Sequence, residues 1–152
     1  VSLGGNECAR PVLVSACLAG EPCRYNGSAA PHPAVLELVA RGLAVPVCPE
    51  VLGGLPTPRK PVELRAGRAV EATGADRTEA FLAGARKALG LCRERSCASA
   101  VLKARSPSCG CGQVYDGSFS GRLVQGDGLF AALLKAEGVR VCTEEDLPGQ
   151  GA

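Results

Sequence analysis

Nine cysteines stand in this sequence of 152 residues, at positions 8, 17, 23, 48, 92, 97, 109, 111 and 142. An odd number of thiols in one chain points away from a disulfide framework and toward metal binding or catalysis by some of them. Their spacing is selective. No CxxC pair occurs, so zinc ribbons and thioredoxin-like redox motifs lose their usual signature. The close pairs are Cys109 and Cys111 in "SPSCGCG", and Cys92 and Cys97 on an expected helix. With His32 as the single histidine, a histidine-rich metal site is excluded. Cys17, Cys48 and Cys109 each adjoin turn-forming residues, where packing has no need of a thiol. Three thiolates suit a zinc ion with a water, or an iron-sulfur cluster with one iron left open, and their softness disfavours magnesium or calcium. Cys92 and Cys142, and with them Cys8 and Cys97, read as small buried hydrophobes.

Other polar residues sit beside these thiols. In "VCPEV" Cys48 and Glu50 are two apart, and in an extended segment both side chains point the same way. Glu50 is therefore a candidate proton shuttle, with a pKa that burial would raise toward neutrality. In "SPSCG" Ser106 and Ser108 flank Pro107, which shapes a turn where a hydroxyl could orient water or substrate. Arg24 and Tyr25 in "CRYNG", and Arg59 and Lys60 in "TPRKP", are weaker candidates for holding an anionic group. The glycines of "VLGGL" and "GDGLF" match neither GxGxxG nor a P-loop, which argues against dinucleotides and nucleoside triphosphates.

The elements that must position these groups alternate. "PVLVSACL" (11–18) reads as a strand buried on both faces, "HPAVLELVARG" (32–42) as a helix, and "LAVPVC" (43–48) as a second strand that Pro46 moves toward a sheet edge. Residues 49–61, rich in proline and glycine, read as a long functional loop, and "VELRAGRAVEA" as a short hairpin or a strand and turn. "DRTEAFLAGARKALGLCRERS" (76–96) has apolar residues at helical spacing. "CASAVLKA" (97–104) is a third strand, "GDGLFAALLKAEG" (126–138) a helix stopped by Gly138, and "VRVC" (139–142) a fourth strand. Alternation of this kind predicts an α/β fold: a single domain with an open, mainly parallel sheet and helices on both faces. Ligands of such sheets bind outside the carboxyl ends of the strands. Cys17, Cys48 and the loop bearing Cys109 all fall there.

Composition sets the remaining bounds. The length fits one domain, expected over residues 1–147 with a flexible tail at 148–152. Two Tyr, three Phe and no Trp leave the core to Val, Leu and Ala. With 17 Lys and Arg against 15 Asp and Glu, the net charge of +2 provides no basic field for nucleic acid. The amino end shows no basic leader, and no apolar run is long enough for a membrane span, so a cytoplasmic location is expected.

"SACLAGEPCRYNG", "VCPEVLGGLPTPRKPVE", "LKARSPSCG" with "YDGSFSG", and "TEEDL" together resemble, in order and over nearly the whole chain, the bacterial thiouracil desulfidase family. The resemblance implies a Rossmann-like α/β domain with a 4Fe-4S cluster on Cys17, Cys48 and Cys109 and one open iron, a catalytic carboxylate at Glu50 and a catalytic serine at Ser106. It implies hydrolytic removal of sulfur from a small thiolated pyrimidine, thiouracil or thio-UMP, giving uracil or UMP and hydrogen sulfide. Cys23 and Cys111 match no ligand position of that pattern. The residues alone also admit a non-catalytic iron-sulfur or zinc module, or a transferase carrying sulfur as a cysteine persulfide on Cys109 or Cys111.

Overall fold

The computed structural model describes residues 10–147. Cys8 and the tail at 148–152 lie outside the described residues, as does what was expected of them. The central element is β1 (Val12–Ser15), a short run of large aliphatic residues that alternates its side chains between two cores. Leu13 packs on one side with α3 (Thr78–Glu94) and α4 (Leu129–Ala136), among Ala85, Leu89, Phe130 and Leu134. Val14 packs on the other side with Val35 of α1 (Pro33–Ala40). A strand covered on both faces must be apolar throughout, which is why its sequence does not alternate with polar residues.

Beside β1 lie β2 (Ala44–Val47) and β5 (Ser99–Leu102), and β8 (Arg140–Thr143) completes a four-stranded sheet in the order β2-β1-β5-β8. All three pairings are parallel. Pro46 stands exposed on β2, an edge strand, as its missing N–H requires. The chain leaves β1 for β2 on one side and returns to β5 on the other, so a topological switch point opens at the carboxyl ends of β1 and β5.

Two hairpins overlie that rim. β3 (Val62–Arg65) and β4 (Arg68–Glu71) are joined through Ala66 and Gly67, both at positive φ, as in a tight turn that follows the strand twist. β6 (Gln113–Tyr115) and β7 (Leu123–Gln125), where the sequence predicts no strand, form the second. Glu63 joins them: its Oε1 accepts from the N–H groups of Gly117 and Phe119, both at 3.0 Å.

The long loop expected at 49–61 also needs correcting, because it opens with a helical turn, α2 (Pro49–Leu52). Pro49 takes the first helical position, where its missing N–H costs nothing, and Cys48 is the extended residue before it. α2 lies against α3 backbone to backbone. A Cβ on Gly84 would collide with the Pro49 carbonyl, and one on Gly53 with the Ala80 carbonyl. Among the described residues no helix is long and apolar enough to cross a membrane.

Candidate active site

At the carboxyl rim the chain makes three abrupt exits from the sheet. β1 runs into a 3-10 turn at Ala16–Ala19, which carries Cys17 just past the strand end. β2 ends at Cys48 and α2. β5 passes through Arg105, a non-glycine residue at φ 65°, into the turn of Ser106 to Cys109. The Ser106 Oγ holds that turn by accepting from the N–H groups of Ser108 at 3.1 Å and Cys109 at 2.9 Å. Gly128 allows the Ser108 carbonyl to approach the start of α4, where it accepts from Phe130 and Ala131.

These exits surround a cavity of about 450 Å³ lined by Cys17, Cys23, Cys48 and Cys109, together with Arg24, Tyr25, Glu50, Arg59, Ser106 and Ser108. The sequence had brought Cys48 and Glu50 together as alternate residues of an extended segment. They do share the cavity, but Glu50 reaches it from the first turn of a helix. Lys60 is exposed and does not line the cavity.

The thiols differ in environment. Burial pushes Cys17 up to about 11, against the fields of Lys103 and Arg24. Burial also raises Cys109, the more strongly, although the Ser15 hydroxyl donates to its sulfur. Cys17 and Cys109 interact with Cys48 through space only, whereas the Cys48 thiol donates to the Cys23 carbonyl at 3.9 Å. The neighbouring Cys48 side chain raises Cys23, and Cys23 in turn lowers Cys48, helped by the N–H of Val51.

Glu50 is held by Arg59, whose Nε donates to Oε1 at 2.8 Å in a pair only 13% and 8% exposed respectively. Burial raises the Glu50 pKa and the guanidinium opposes it. Four of the five Arg59 N–H donors are engaged: besides the bond to Glu50, Nη1 binds the Pro56 carbonyl and Thr57 Oγ1, and Nη2 binds the Cys23 carbonyl at 2.9 Å. Arg59 thus clamps Glu50 to the Cys23 loop, with one Nη2 hydrogen left over. Glu50 Oε2 makes no hydrogen bond among the described residues.

Sequence reasoning missed Lys103, which lines the cavity and pairs with Glu144 at 3.2 Å while that carboxylate accepts from the Ala104 N–H. It also missed Glu63, Arg105 and Tyr115 on the hairpin side. "LKARSPSCG" and "TEEDL" had singled out Lys103 and Glu144 as parts of recognisable blocks, but their pairing is visible only in space. Cys111 lies outside the cavity, its sulfur turned to the Val141 carbonyl at 3.7 Å.

Does the cavity suit an iron-sulfur cluster? Among the described residues no group of three His, Cys, Asp or Glu side chains is gathered tightly around one point. The donors on the cavity wall are soft thiols, with the cations Lys103 and Arg24 to offset thiolate charge, and that chemistry fits an iron-sulfur cluster.

Comparisons with known proteins agree. The profile of the 2-thiouracil desulfurase family matches residues 12–146. A Bacillus subtilis protein known as the uncharacterized protein YbbK is 44% identical over 146 residues, which cover 90% of this chain and 97% of that one. A solved structure described as the [4Fe-4S]-dependent thiouracil desulfidase TudS superposes with a TM-score of 0.87 at 44% identity, covering 91% of this chain and 93% of the other. Sheet order, rim cavity and sequence lead to one conclusion: the chain is a member of the 2-thiouracil desulfurase family.

Proposed function

We propose that this protein is a [4Fe-4S]-dependent thiouracil desulfidase, with Cys17, Cys48 and Cys109 holding the cluster and Glu50 and Ser106 acting on a small thiolated pyrimidine. The observation that carries the reading is the buried, clamped carboxylate of Glu50 on the wall of a cavity that also presents the three thiols. When bound, the cluster supplies a thiophilic Lewis acid toward which the sulfur of a thiocarbonyl can leave.

The chain's own groups account for the rest. Arg59 fixes one oxygen of Glu50, and Oε2 is left to take a proton from water beside the thiocarbonyl carbon. Burial raises the proton affinity of that carboxylate, as a base of moderate strength requires. Ser106 accepts two backbone N–H groups, so both its lone pairs are engaged and its hydroxyl hydrogen remains to be donated. It can thus orient a water or substrate oxygen, but it is no base. Water adds, sulfur leaves as hydrogen sulfide, and the thiocarbonyl becomes a carbonyl. No electrons are consumed, so no redox partner is needed.

The test is anaerobic purification with iron and sulfide analysis, followed by incubation with 2-thiouracil, 4-thiouracil and 4-thiouridine monophosphate while thiocarbonyl absorbance is followed. Glu50→Gln should retain its iron and lose about 10²- to 10⁴-fold in turnover, the range of a lost general base. Cluster-loaded protein inactive on all three compounds would sink the proposal.

A further inference from the structure

Cys23 is the fourth thiol on the cavity wall and has no part in the proposed ligand set. It stands on the loop between Gly20 and Gly27, both at positive φ, whereas Cys48 is fixed at the end of β2. The Cys48 thiol donates to the Cys23 carbonyl at 3.9 Å, which sets the two residues side by side. Both are half-buried, while Cys17 and Cys109 are buried. Of the four, these two are the residues joined by a hydrogen bond and the pair that a dissolved reagent can reach.

We infer that Cys23 and Cys48 are a disulfide-forming pair in the cluster-free chain, with a low-molecular-weight disulfide as the oxidising reactant. The thiolate of one cysteine attacks a sulfur of the small disulfide, forming a mixed disulfide and releasing one small thiol. The other cysteine, its neighbour across the cavity wall, then attacks the protein sulfur of that mixed disulfide and expels the second. One S–S bond forms in the protein and one breaks in the reactant. The protein gives up two electrons and two protons, and the small disulfide becomes two thiols. The bond withdraws Cys48 from iron and shields it from higher oxidation until a thiol reductant restores it. This consequence rests on the reading of Cys48 as a cluster ligand; the bond itself does not.

The experiment removes iron from the full chain with a chelator under reducing conditions, exchanges the protein into buffer containing oxidised glutathione, and maps the cysteines by mass spectrometry. The expected product has lost two hydrogens and yields a Cys23–Cys48 linked peptide. It takes up no iron from iron and sulfide alone and recovers uptake after dithiothreitol. Cys23→Ser should instead stop with glutathione attached to Cys48. An oxidised chain that links other cysteines, or one that keeps all four cavity thiols free, overturns the inference. If the Cys23–Cys48 peptide forms and iron uptake is undiminished, the bond stands and the ligand assignment of Cys48 fails. Cys48→Ser, which should take up less iron in the reduced state, checks that assignment separately.

Discussion

Two cysteine pairs, each joined by a thiol-to-carbonyl hydrogen bond, occupy opposite ends of one parallel sheet, and only one of them belongs to a site. At the amino end, Cys92 of α3 donates to the Cys97 carbonyl at 3.5 Å just before β5 begins. Both sulfurs sit in the apolar cluster with Leu89, Ala100 and Leu134, and burial raises the pKa of each. At the carboxyl end, Cys23 and Cys48 face a cavity shared with Glu50, Arg59 and Lys103. Burial and thiol contact therefore do not identify a functional cysteine. Polar groups with unspent hydrogen-bonding capacity, gathered where parallel strands end, do.

The sharpest way to break this contrast is to delete one thiol from each end. Cys109→Ala should purify with little iron and no detectable desulfidation. Cys97→Ala should keep iron and turnover and lose only the stability of a small buried group, about 1 kcal/mol in chemical denaturation. If both variants keep their iron, the division between the two ends is wrong.

Arg59→Met tests what makes the carboxyl end costly to build. It leaves Glu50 buried without its cation, and breaking such a pair from one side costs about 3–5 kcal/mol. It also frees the Cys23 carbonyl and the Thr57 hydroxyl. The midpoint of denaturant unfolding, measured beside Cys97→Ala, should fall further for Arg59→Met. Arg59→Lys should recover little of it, since an ammonium cannot reach Glu50, Thr57 and Cys23 in one planar fork.

Gly84→Ala reaches the site from a distance. The added methyl would meet the Pro49 carbonyl, so α2 must move, and Glu50 with it. Overpacking of this kind costs about 1–3 kcal/mol. The informative comparison is with Gly90→Ala on the same helix, where nothing stands within 4 Å of the new methyl. Gly90→Ala should be neutral or slightly stabilising, while Gly84→Ala should lose turnover at full iron content. Equal turnover in the two would mean that the position of α2 does not matter to catalysis.

The parallel sheet was legible because both-sided burial leaves unbroken aliphatic runs at β1 and β5 and because Pro46 marks an edge. The β3–β4 hairpin was legible from its Ala-Gly turn. The β6–β7 hairpin was not, since each strand has three residues and "DGSFSG" between them reads as loop. α2 was hidden by the prolines around it, although Pro49 is itself a helix-start signal. At the site, strand ends were enough to group Cys17, Cys48 and Cys109 with Glu50. The engagement of Arg59 and the pairing of Lys103 with Glu144 were not readable, because each joins separate loops through space. Side chains of that kind look like solvated cations until their partners are seen.

The smallest effect concerns the Cys109-Gly-Cys111 pair, which sequence alone presents as a unit. Gly110 divides it: a Cβ there would stand 2.7 Å from the Ser106 carbonyl, so the backbone turns tightly while Cys109 enters the cavity. Cys111 turns instead toward β8, its half-buried sulfur 3.7 Å from the Val141 carbonyl. A serine there keeps the size and polarity of a side chain that carries no short hydrogen bond to lose. Cys111→Ser should therefore change unfolding free energy by no more than about 0.5 kcal/mol, as substitutions without a buried loss do. Iron content and thiouracil turnover should match wild type. A variant short of iron would place Cys111 within reach of the cluster and return the pair to a single function.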